Sequence, residues 1–356
     1  MMPHAAGGEA ADARLTIAQP DDWHLHVRDV PYIASVLPGT LRCFHRAVIM
    51  PNLHPPVTTV AAAAAYRARI LQAVPAGTDF EPLMTLYLSD RFDAAEIRAA
   101  KDSGFVHAVK LYPKGIAHAG QPGVTAIERC FSVFEAMEKH DLPLLVHGET
   151  TDVAVDAFDR EAVFVEQTLN RVVKQFPGLR VVVEHISTRE AVDFVLAAGA
   201  NVAATVTPQH VLLNRNALFE KGFRPHHYCI PLLKREVHRL AILGAITSDS
   251  RKFFLGTDSA PHVRELKEHA CGCAGVYTAH AAIELYAMAF DAARALHRLE
   301  AFASFNGPDF YRLPRNTATI TLEKKAWQMP AEIPYGDGET LVPLFAGQTL
   351  PWRLVA

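Results

Sequence analysis

Two histidines and an arginine alternate with apolar residues near the start of the chain. They are His24, His26 and Arg28. In an extended strand, residues two apart face the same side, so these three side chains are expected to project together. Neutral imidazoles are good ligands for zinc and its neighbours, and arginine offers a planar fork to a carboxylate or phosphate. The stretch predicts a metal site beside an anion clamp, although a chain with 18 histidines also yields such pairs by chance.

Four further candidate ligands lie at or near the carboxyl ends of other predicted strands. They are Lys110, His147, His185 and Asp258. In a barrel of parallel strands, the residues at these ends meet at one face, where active sites of such barrels lie. Together with His24 and His26, they come from five strands and predict a single metal centre.

Lys110 lies inside an apolar strand, where burial should lower the pKa of its ammonium group and expose a neutral amine. A neutral amine can combine with carbon dioxide to give a carbamate. The resulting N6-carboxylysine could bridge two metal ions, which in such sites lie about 3.5–4 Å apart. The alternative is a lysine whose stem lies along the barrel while its ammonium group reaches water.

Asp258 follows the last predicted strand directly. As a metal ligand it could also take a proton from a bridging hydroxide and deliver it to a leaving nitrogen. The alternative is a structural carboxylate that caps a following helix. His262, four residues on, is predicted to contact substrate, whereas His210 more simply makes a structural polar contact.

The elements that must position these residues alternate between short β-branched runs and amphipathic or Ala-rich segments. The predicted strands are 23–28, 47–51, 83–88, 107–112, 143–147, 180–186, 202–207 and 252–257. The predicted helices are 61–73, 93–102, 125–140, 160–175, 188–198, 232–247 and about 278–298. This order predicts an α/β fold, a (β/α)8 TIM barrel in a single domain over 14–356. Residues 1–13 are predicted to be a disordered extension, and residues from about 307 a short C-terminal extension packed on the barrel.

An open, doubly wound sheet is the second fold that the pattern permits. Its first strand, however, should lead into a Gly-rich phosphate turn, and here it leads into candidate metal ligands.

Composition narrows the class of protein. Of 356 residues, half are hydrophobic and about a fifth are charged, with a formal net charge of -3. This is typical of a globular enzyme and gives no basic stripe for nucleic acid or for a membrane surface. The five cysteines are not spaced as a disulfide framework or a zinc finger, and Cys271 and Cys273 are too close for a standard zinc knuckle. We expect reduced thiols, no membrane span and a cytoplasmic location.

The chain resembles the dihydroorotases of the amidohydrolase superfamily, in their compact bacterial form, from about Asp21 to its end. The motifs that carry the resemblance are Asp22-Trp23-His24-Leu25-His26 with Arg28, Met50-Pro51-Asn52-Leu53, Val109-Lys110-Leu111-Tyr112-Pro113, Val146-His147-Gly148-Glu149, Glu184-His185-Ile186, Gly256-Thr257-Asp258-Ser259-Ala260-Pro261-His262 and Cys271-Gly272-Cys273-Ala274-Gly275.

The resemblance implies two zinc ions per subunit, bridged by carboxylated Lys110 and a hydroxide. One ion would be held by His24, His26 and Asp258, the other by His147 and His185. The implied reaction is the reversible hydrolysis of L-dihydroorotate to N-carbamoyl-L-aspartate, in de novo pyrimidine (UMP) biosynthesis, by a cytoplasmic homodimer.

The resemblance also implies the substrate contacts. Arg28, Asn52 and His262 would hold the substrate carboxylate, and the backbone at Ile230 and Ala274 would contact the ring amide. In this family, a loop after the fourth strand closes over substrate with adjacent threonines. Residues 114–123 contain no threonine here, and besides Lys114 the polar side chains near the tip are His118 and Gln121.

Two other functions remain open at this point. A hydantoinase or allantoinase would share the metal ligands but would have no need of Arg28 for a substrate carboxylate. A non-catalytic barrel that serves as a scaffold is expected to lack some of the ligands, all of which this chain retains.

Overall fold

Eight parallel strands form one sheet in chain order and curve into a barrel. The structure, a computed structural model, describes residues 13–116, 122–270 and 272–355. The short strand β1 (Arg14–Ala18) precedes the barrel. The barrel strands are β2 (Asp22–Leu25), β3 (Arg46–Ile49), β4 (Glu81–Leu88), β5 (Val106–Leu111), β6 (Leu144–His147), β7 (Val181–Glu184), β8 (Val202–Val206) and β9 (Phe253–Leu255). The predicted TIM barrel is confirmed, and an open doubly wound sheet is excluded.

The barrel closes through the residues that follow its last strand. The Asp258 N–H donates to the His24 carbonyl at 2.8 Å, and the His26 N–H donates to the Ser259 carbonyl at 3.2 Å. Asp258 is therefore attached to the first strand by its own backbone.

Helices cover the outside of the barrel. Their first turns show why they begin where they do: the Thr59 and Thr188 side chains accept hydrogen bonds from Ala62 and Ala191, respectively, as N-caps. The α-helices are α1 (Ile33–Leu41), α2 (Val60–Ala73), α3 (Ala95–Ser103), α4 (Phe131–His140), α5 (Arg160–Phe164), α6 (Asn170–Gln175), α7 (Arg189–Ala197), α8 (Pro208–Leu212), α9 (Glu236–Ile246), α10 (Arg264–Glu268), α11 (Ala282–Ala292) and α12 (Asn306–Tyr311). One-turn π-helices lie at Val165–Leu169 and Ala301–Phe305. None of the helices in the described ranges is long and apolar enough to cross a membrane.

The alternation of side chains along the strands separates two cores. One face packs against the helices, and the other fills the barrel with an interior cluster that includes Ala108, Leu145 and Val182. Two residues beyond each of these, Lys110, His147 and Glu184 occupy the same strand face and are buried. The apolar layer of the barrel therefore supports a polar layer above it.

Helix α12 and the chain after it pack back on the barrel. Tyr311 stacks on Trp23 with ring centroids 4.4 Å apart. Gly307 is needed there, because a Cβ at this position would lie 1.9 Å from the Trp23 indole nitrogen. The later strands are β10 (Thr319–Glu323), β11 (Trp327–Gln328), β12 (Ile333–Tyr335), β13 (Glu339–Leu341), β14 (Thr349–Leu350) and β15 (Arg353–Val355). β10 pairs with both β1 and β15, so the two ends of the described chain share one small sheet.

A buried ion pair joins the first two barrel strands to this C-terminal segment. Arg46 donates to both carboxylate oxygens of Asp21, at 3.0 and 2.6 Å, and to the Pro314 carbonyl at 2.8 Å. Both side chains are buried, so removing one leaves an uncompensated charge. We expect Asp21→Ala to lower the free energy of unfolding by about 3–5 kcal/mol, measured by urea denaturation.

The matched control is Asp102→Ala, which breaks the exposed Arg98–Asp102 pair at 3.5 Å. It should cost at most about 1 kcal/mol. Equal effects of the two substitutions would contradict the importance of the buried pair.

Candidate metal centre

Three of the predicted ligands meet at the mouth of the barrel. The Asp258 Oδ1 lies 3.3 Å from His24 Nε2 and 3.2 Å from His26 Nε2. The two histidine nitrogens are 3.3 Å apart, and all three side chains are buried. Two imidazole nitrogens and a carboxylate oxygen at this spacing form a set that can hold a divalent metal ion.

A second group of ligands shares His24 with the first. His24, Glu184 and His185 also place their ligand atoms within 4.8 Å of one another. His147 lies beside them, with its ring centroid 4.6 Å from that of His185. Its Nε2 lies 2.7 Å from Glu149, so Nδ1 is the nitrogen left for a metal. The structure thus brings all four predicted histidines into one cluster.

Lys110 is fully buried beneath this cluster, with 0% of its side chain exposed. Its Nζ forms an ion pair with Glu184 and lies 4.8 Å from the centre of the Tyr112 ring. Burial lowers the pKa of the Lys110 ammonium group well below its usual value, as the sequence predicts. A fraction of neutral amine at neutral pH is what reaction with carbon dioxide requires.

The protonation states of the other ligands suit a metal as well. Burial lowers the pKa of all four histidines, that of His26 to about 3, so their rings are neutral. Burial alone would raise the pKa of Asp258, but its contacts with His24 and His26 hold it well below its usual value. Neutral imidazoles and an ionised carboxylate are the forms in which these groups bind metal.

Three buried polar atoms of the cluster are left without a hydrogen bond among the described residues, which is the observation that tests the fit of a metal. His185 Nδ1 makes no hydrogen bond to any of the described residues, whereas His24 Nδ1 and Glu184 Oε1 lie 3.1 Å from each other without the geometry of a hydrogen bond. Buried polar groups are normally hydrogen-bonded, so such a concentration needs an explanation. Metal coordination in this cluster explains it, and the residues present therefore fit the implied group.

Hydrogen bonds with neighbouring residues orient the ligand side chains. Asn52 Oδ1 lies 2.9 Å from His26 Nδ1, which turns His26 Nε2 toward Asp258. Asp22 accepts from the His24 N–H at 3.1 Å and from the Thr257 hydroxyl at 2.6 Å. Sequence reasoning assigned no site role to Asp22, Glu149 or Glu184, yet the period-2 alternation from Val182 places Glu184 inside the barrel.

An anion clamp lies at the edge of the cluster. The Arg28 guanidinium donates to the Pro261 carbonyl at 2.9 Å, and its Nη2 lies 3.0 Å from His262 Nε2. His262 Nε2 also lies 2.9 Å from the Ala274 carbonyl oxygen, so His262 joins Arg28 to the segment that carries Ala274. Arg28, His262 and Ala274, which the resemblance implies as substrate contacts, therefore lie next to one another.

Arg28 does not project from a strand, contrary to the prediction. β2 ends at Leu25 and has a register shift against β3 between Asp22 and Leu25, so strand alternation does not reach Arg28. Arg28 instead has a φ of 62°, and its carbonyl accepts from the Tyr66 hydroxyl at 2.5 Å. The direction of the Arg28 guanidinium is therefore set by a turn, which Tyr66 of α2 holds through this hydrogen bond.

The remaining predicted residues fall in three places. His210 makes the structural contacts expected of it, 2.7 Å from the Thr207 hydroxyl and 3.0 Å from the Pro231 carbonyl. Ile230 is half-buried and lies two residues after Tyr228, whose carbonyl accepts from the Gly275 N–H. Residues 1–12 of the predicted extension, Cys271 and the loop candidates His118 and Gln121 lie outside the described residues.

Comparisons with known proteins agree on one family. The sequence profile of the amidohydrolase family matches residues 21–331. A dihydroorotase from Cupriavidus pinatubonensis is 64% identical and one from Methylobacillus flagellatus 62%, each over 96% of this chain and 98% of that protein. The crystal structure of dihydroorotase from Campylobacter jejuni has a TM-score of 0.88 at 33% identity and covers 97% of this chain and 98% of its own. An L-hydantoinase from Arthrobacter aurescens, at 14% identity and a TM-score of 0.80, shares the fold; it covers 96% of this chain and 83% of its own.

Proposed function

This chain belongs to the amidohydrolase family and, within it, to the dihydroorotases, and on that premise we propose that it reversibly hydrolyses the ring amide of L-dihydroorotate. The product of this reaction is N-carbamoyl-L-aspartate, an intermediate of pyrimidine biosynthesis. The observation that carries the proposal is the Arg28 clamp: a guanidinium beside a cluster of metal ligands suits a cyclic amide that also bears a carboxylate.

We further propose that the cluster holds two zinc ions, one at His24, His26 and Asp258 and the other at His147 and His185. Carboxylated Lys110 would lie between them. When bound, such a pair polarises a carbonyl group and supplies a nucleophile at neutral pH. A cytoplasmic homodimer is the expected state of the enzyme.

The chain's own residues then bind the substrate and move the proton. Arg28, Asn52 and His262 hold the carboxylate of the substrate, and the backbone at Ile230 and Ala274 contacts the amide edge of the ring. Asp258, ionised and facing the cluster, takes the proton of the attacking hydroxide at its carboxylate and delivers it to the ring nitrogen as the C–N bond breaks. Because this carboxylate is buried and ionised, it can serve both as a metal ligand and as a base.

Arg28→Met tests the substrate assignment. Removing the charge that pairs with the substrate carboxylate should raise KM for dihydroorotate about 10²-fold or more. The bound metal should stay unchanged, since Arg28 contacts Pro261 and His262 and none of the proposed ligands. Steady-state kinetics with metal analysis measures both quantities.

Arg264→Met is the matched control, because Arg264 lies on α10 near the clamp but pairs with Glu268 at the surface. It should leave KM within about twofold. A KM for Arg28→Met equal to that of the control would show that Arg28 does not hold the carboxylate.

A further inference from the structure

Lys267 is a buried charged residue beside the segment that carries Ala274, and the sequence alone indicated no role for this lysine. Its side chain is 4% exposed. Its Nζ donates to the carbonyls of Tyr228, Cys273 and Gly275, at 2.8, 2.9 and 2.6 Å. An ammonium group has three protons, so each of them is used by one carbonyl.

These three carbonyls belong to the two backbone segments that contain Ile230 and Ala274. The segments also contact each other, since the Gly275 N–H donates to the Tyr228 carbonyl at 3.0 Å. The N–H groups of Ile230 and Ala274 themselves have no hydrogen-bond partner among residues 13–116, 122–270 and 272–355. Lys267 thus joins two segments, each with an N–H group that no described residue accepts from.

The contact with Cys273 bears directly on one of these donors. The Cys273 carbonyl and the Ala274 N–H belong to the same peptide unit. A hydrogen bond to the carbonyl of a peptide polarises it and strengthens its N–H as a donor. The ammonium group of Lys267 therefore acts on Ala274 as well as on the spacing of the segments.

The segment around Ala274 has little freedom on its other side. Gly275 has a φ of +145°, and a Cβ there would lie 2.6 Å from the Ala260 carbonyl. His262 holds the Ala274 carbonyl at 2.9 Å. The segment is fixed between the residues that follow Asp258 and the ammonium group of Lys267.

We propose that Lys267 is a positioning residue for substrate recognition: it sets the spacing of the Ile230 and Ala274 donors and strengthens the second of them. This inference rests on the proposed function, in which those two backbone groups contact the ring amide. Lys267 touches none of the proposed metal ligands, so its effect should fall on binding of the ring. Burial lowers the pKa of Lys267 to about 8, which agrees with an ammonium group enclosed by protein.

The test is Lys267→Met in the metal-loaded full chain. We expect KM for dihydroorotate to rise about tenfold with kcat within about threefold, because ground-state contacts to the ring are weakened. The Kd of orotate, measured by isothermal titration calorimetry, should rise by a similar factor. The Kd of acetohydroxamate, a small metal-directed ligand without a ring, and the metal content should not change.

Lys252→Met is the matched control. Lys252 also donates from Nζ to three carbonyls, those of Val195, Leu196 and Ala198, but at the end of α7 and away from the site. It should lower thermal stability to a comparable extent with no change in KM or in the Kd of orotate. If Lys267→Met does not fold, Lys267→Gln, which keeps two donors, should show a smaller rise in the same two constants.

The outcomes separate this proposal from the proposed function. Wild-type protein that does not turn over dihydroorotate contradicts the function itself. Wild-type turnover combined with an unchanged KM and orotate Kd in the Lys267 variant overturns the positioning role alone. Equal changes in the affinities for orotate and acetohydroxamate would also overturn it, because they indicate a general disturbance of the site.

Discussion

Replacing Lys110 with methionine is expected to lower kcat/KM for dihydroorotate by about 10³-fold or more and to reduce the bound metal below two ions per chain. Lys110 is fully buried and paired with Glu184 beneath the histidine cluster. Methionine has a similar volume and can remain in the apolar strand, but it cannot form a carbamate. Elemental analysis and steady-state kinetics on the same preparation measure the two effects.

Lys110→Ala provides the companion measurement. It leaves a cavity that a short carboxylate such as acetate can fill, so added acetate should restore part of the activity and metal content. A methionine variant that keeps two metal ions and near-normal turnover would contradict a bridging role for Lys110. So would a bare amine in mass spectra of the metal-loaded wild-type protein under mild conditions.

Asp258→Asn is expected to lower kcat by about 10²–10⁴-fold, the range typical of lost general acid–base catalysis. Asp258 faces both His24 and His26, and its carboxyl is held ionised by them. The asparagine carbonyl can still bind metal but cannot carry the proton. Metal content should therefore fall much less than kcat does.

The control for this variant is Asp22→Asn, which changes another buried aspartate, in the strand that carries His24. Asp22 accepts hydrogen bonds from Thr257 and from the His24 N–H, and none of these bonds involves a ligand side chain. Its asparagine variant should keep kcat within about tenfold. A loss of kcat in Asp258→Asn no larger than in this control would contradict the proton-transfer role.

Sequence reasoning could find the barrel because its strands are short apolar runs at regular spacing. All eight predicted barrel strands are present, with ends that differ by a few residues. The helix Ile33–Leu41 was missed because Pro38 and Gly39 lie inside it and both disfavour a helix in sequence patterns. The pairing of β1 with β10 joins residues about 300 positions apart, and no local pattern reports such a contact.

The ligands could be predicted because ionisable residues at apolar strand ends stand out in sequence. The residues that orient them could not, since their roles depend on which side chains meet across the barrel. Glu149 is recognisable only once its contact with His147 is known. The turn at Arg28 likewise depends on Tyr66 of α2, which is distant in sequence.

Turnover of L-dihydroorotate by the metal-loaded wild-type protein, with hydantoin and allantoin as parallel substrates, tests the central claim most directly. We expect selective turnover of dihydroorotate, because only this substrate carries the carboxylate that the Arg28 clamp fits. Cleavage of hydantoin or allantoin without turnover of dihydroorotate would contradict the assigned substrate while leaving the metal centre and the barrel in place.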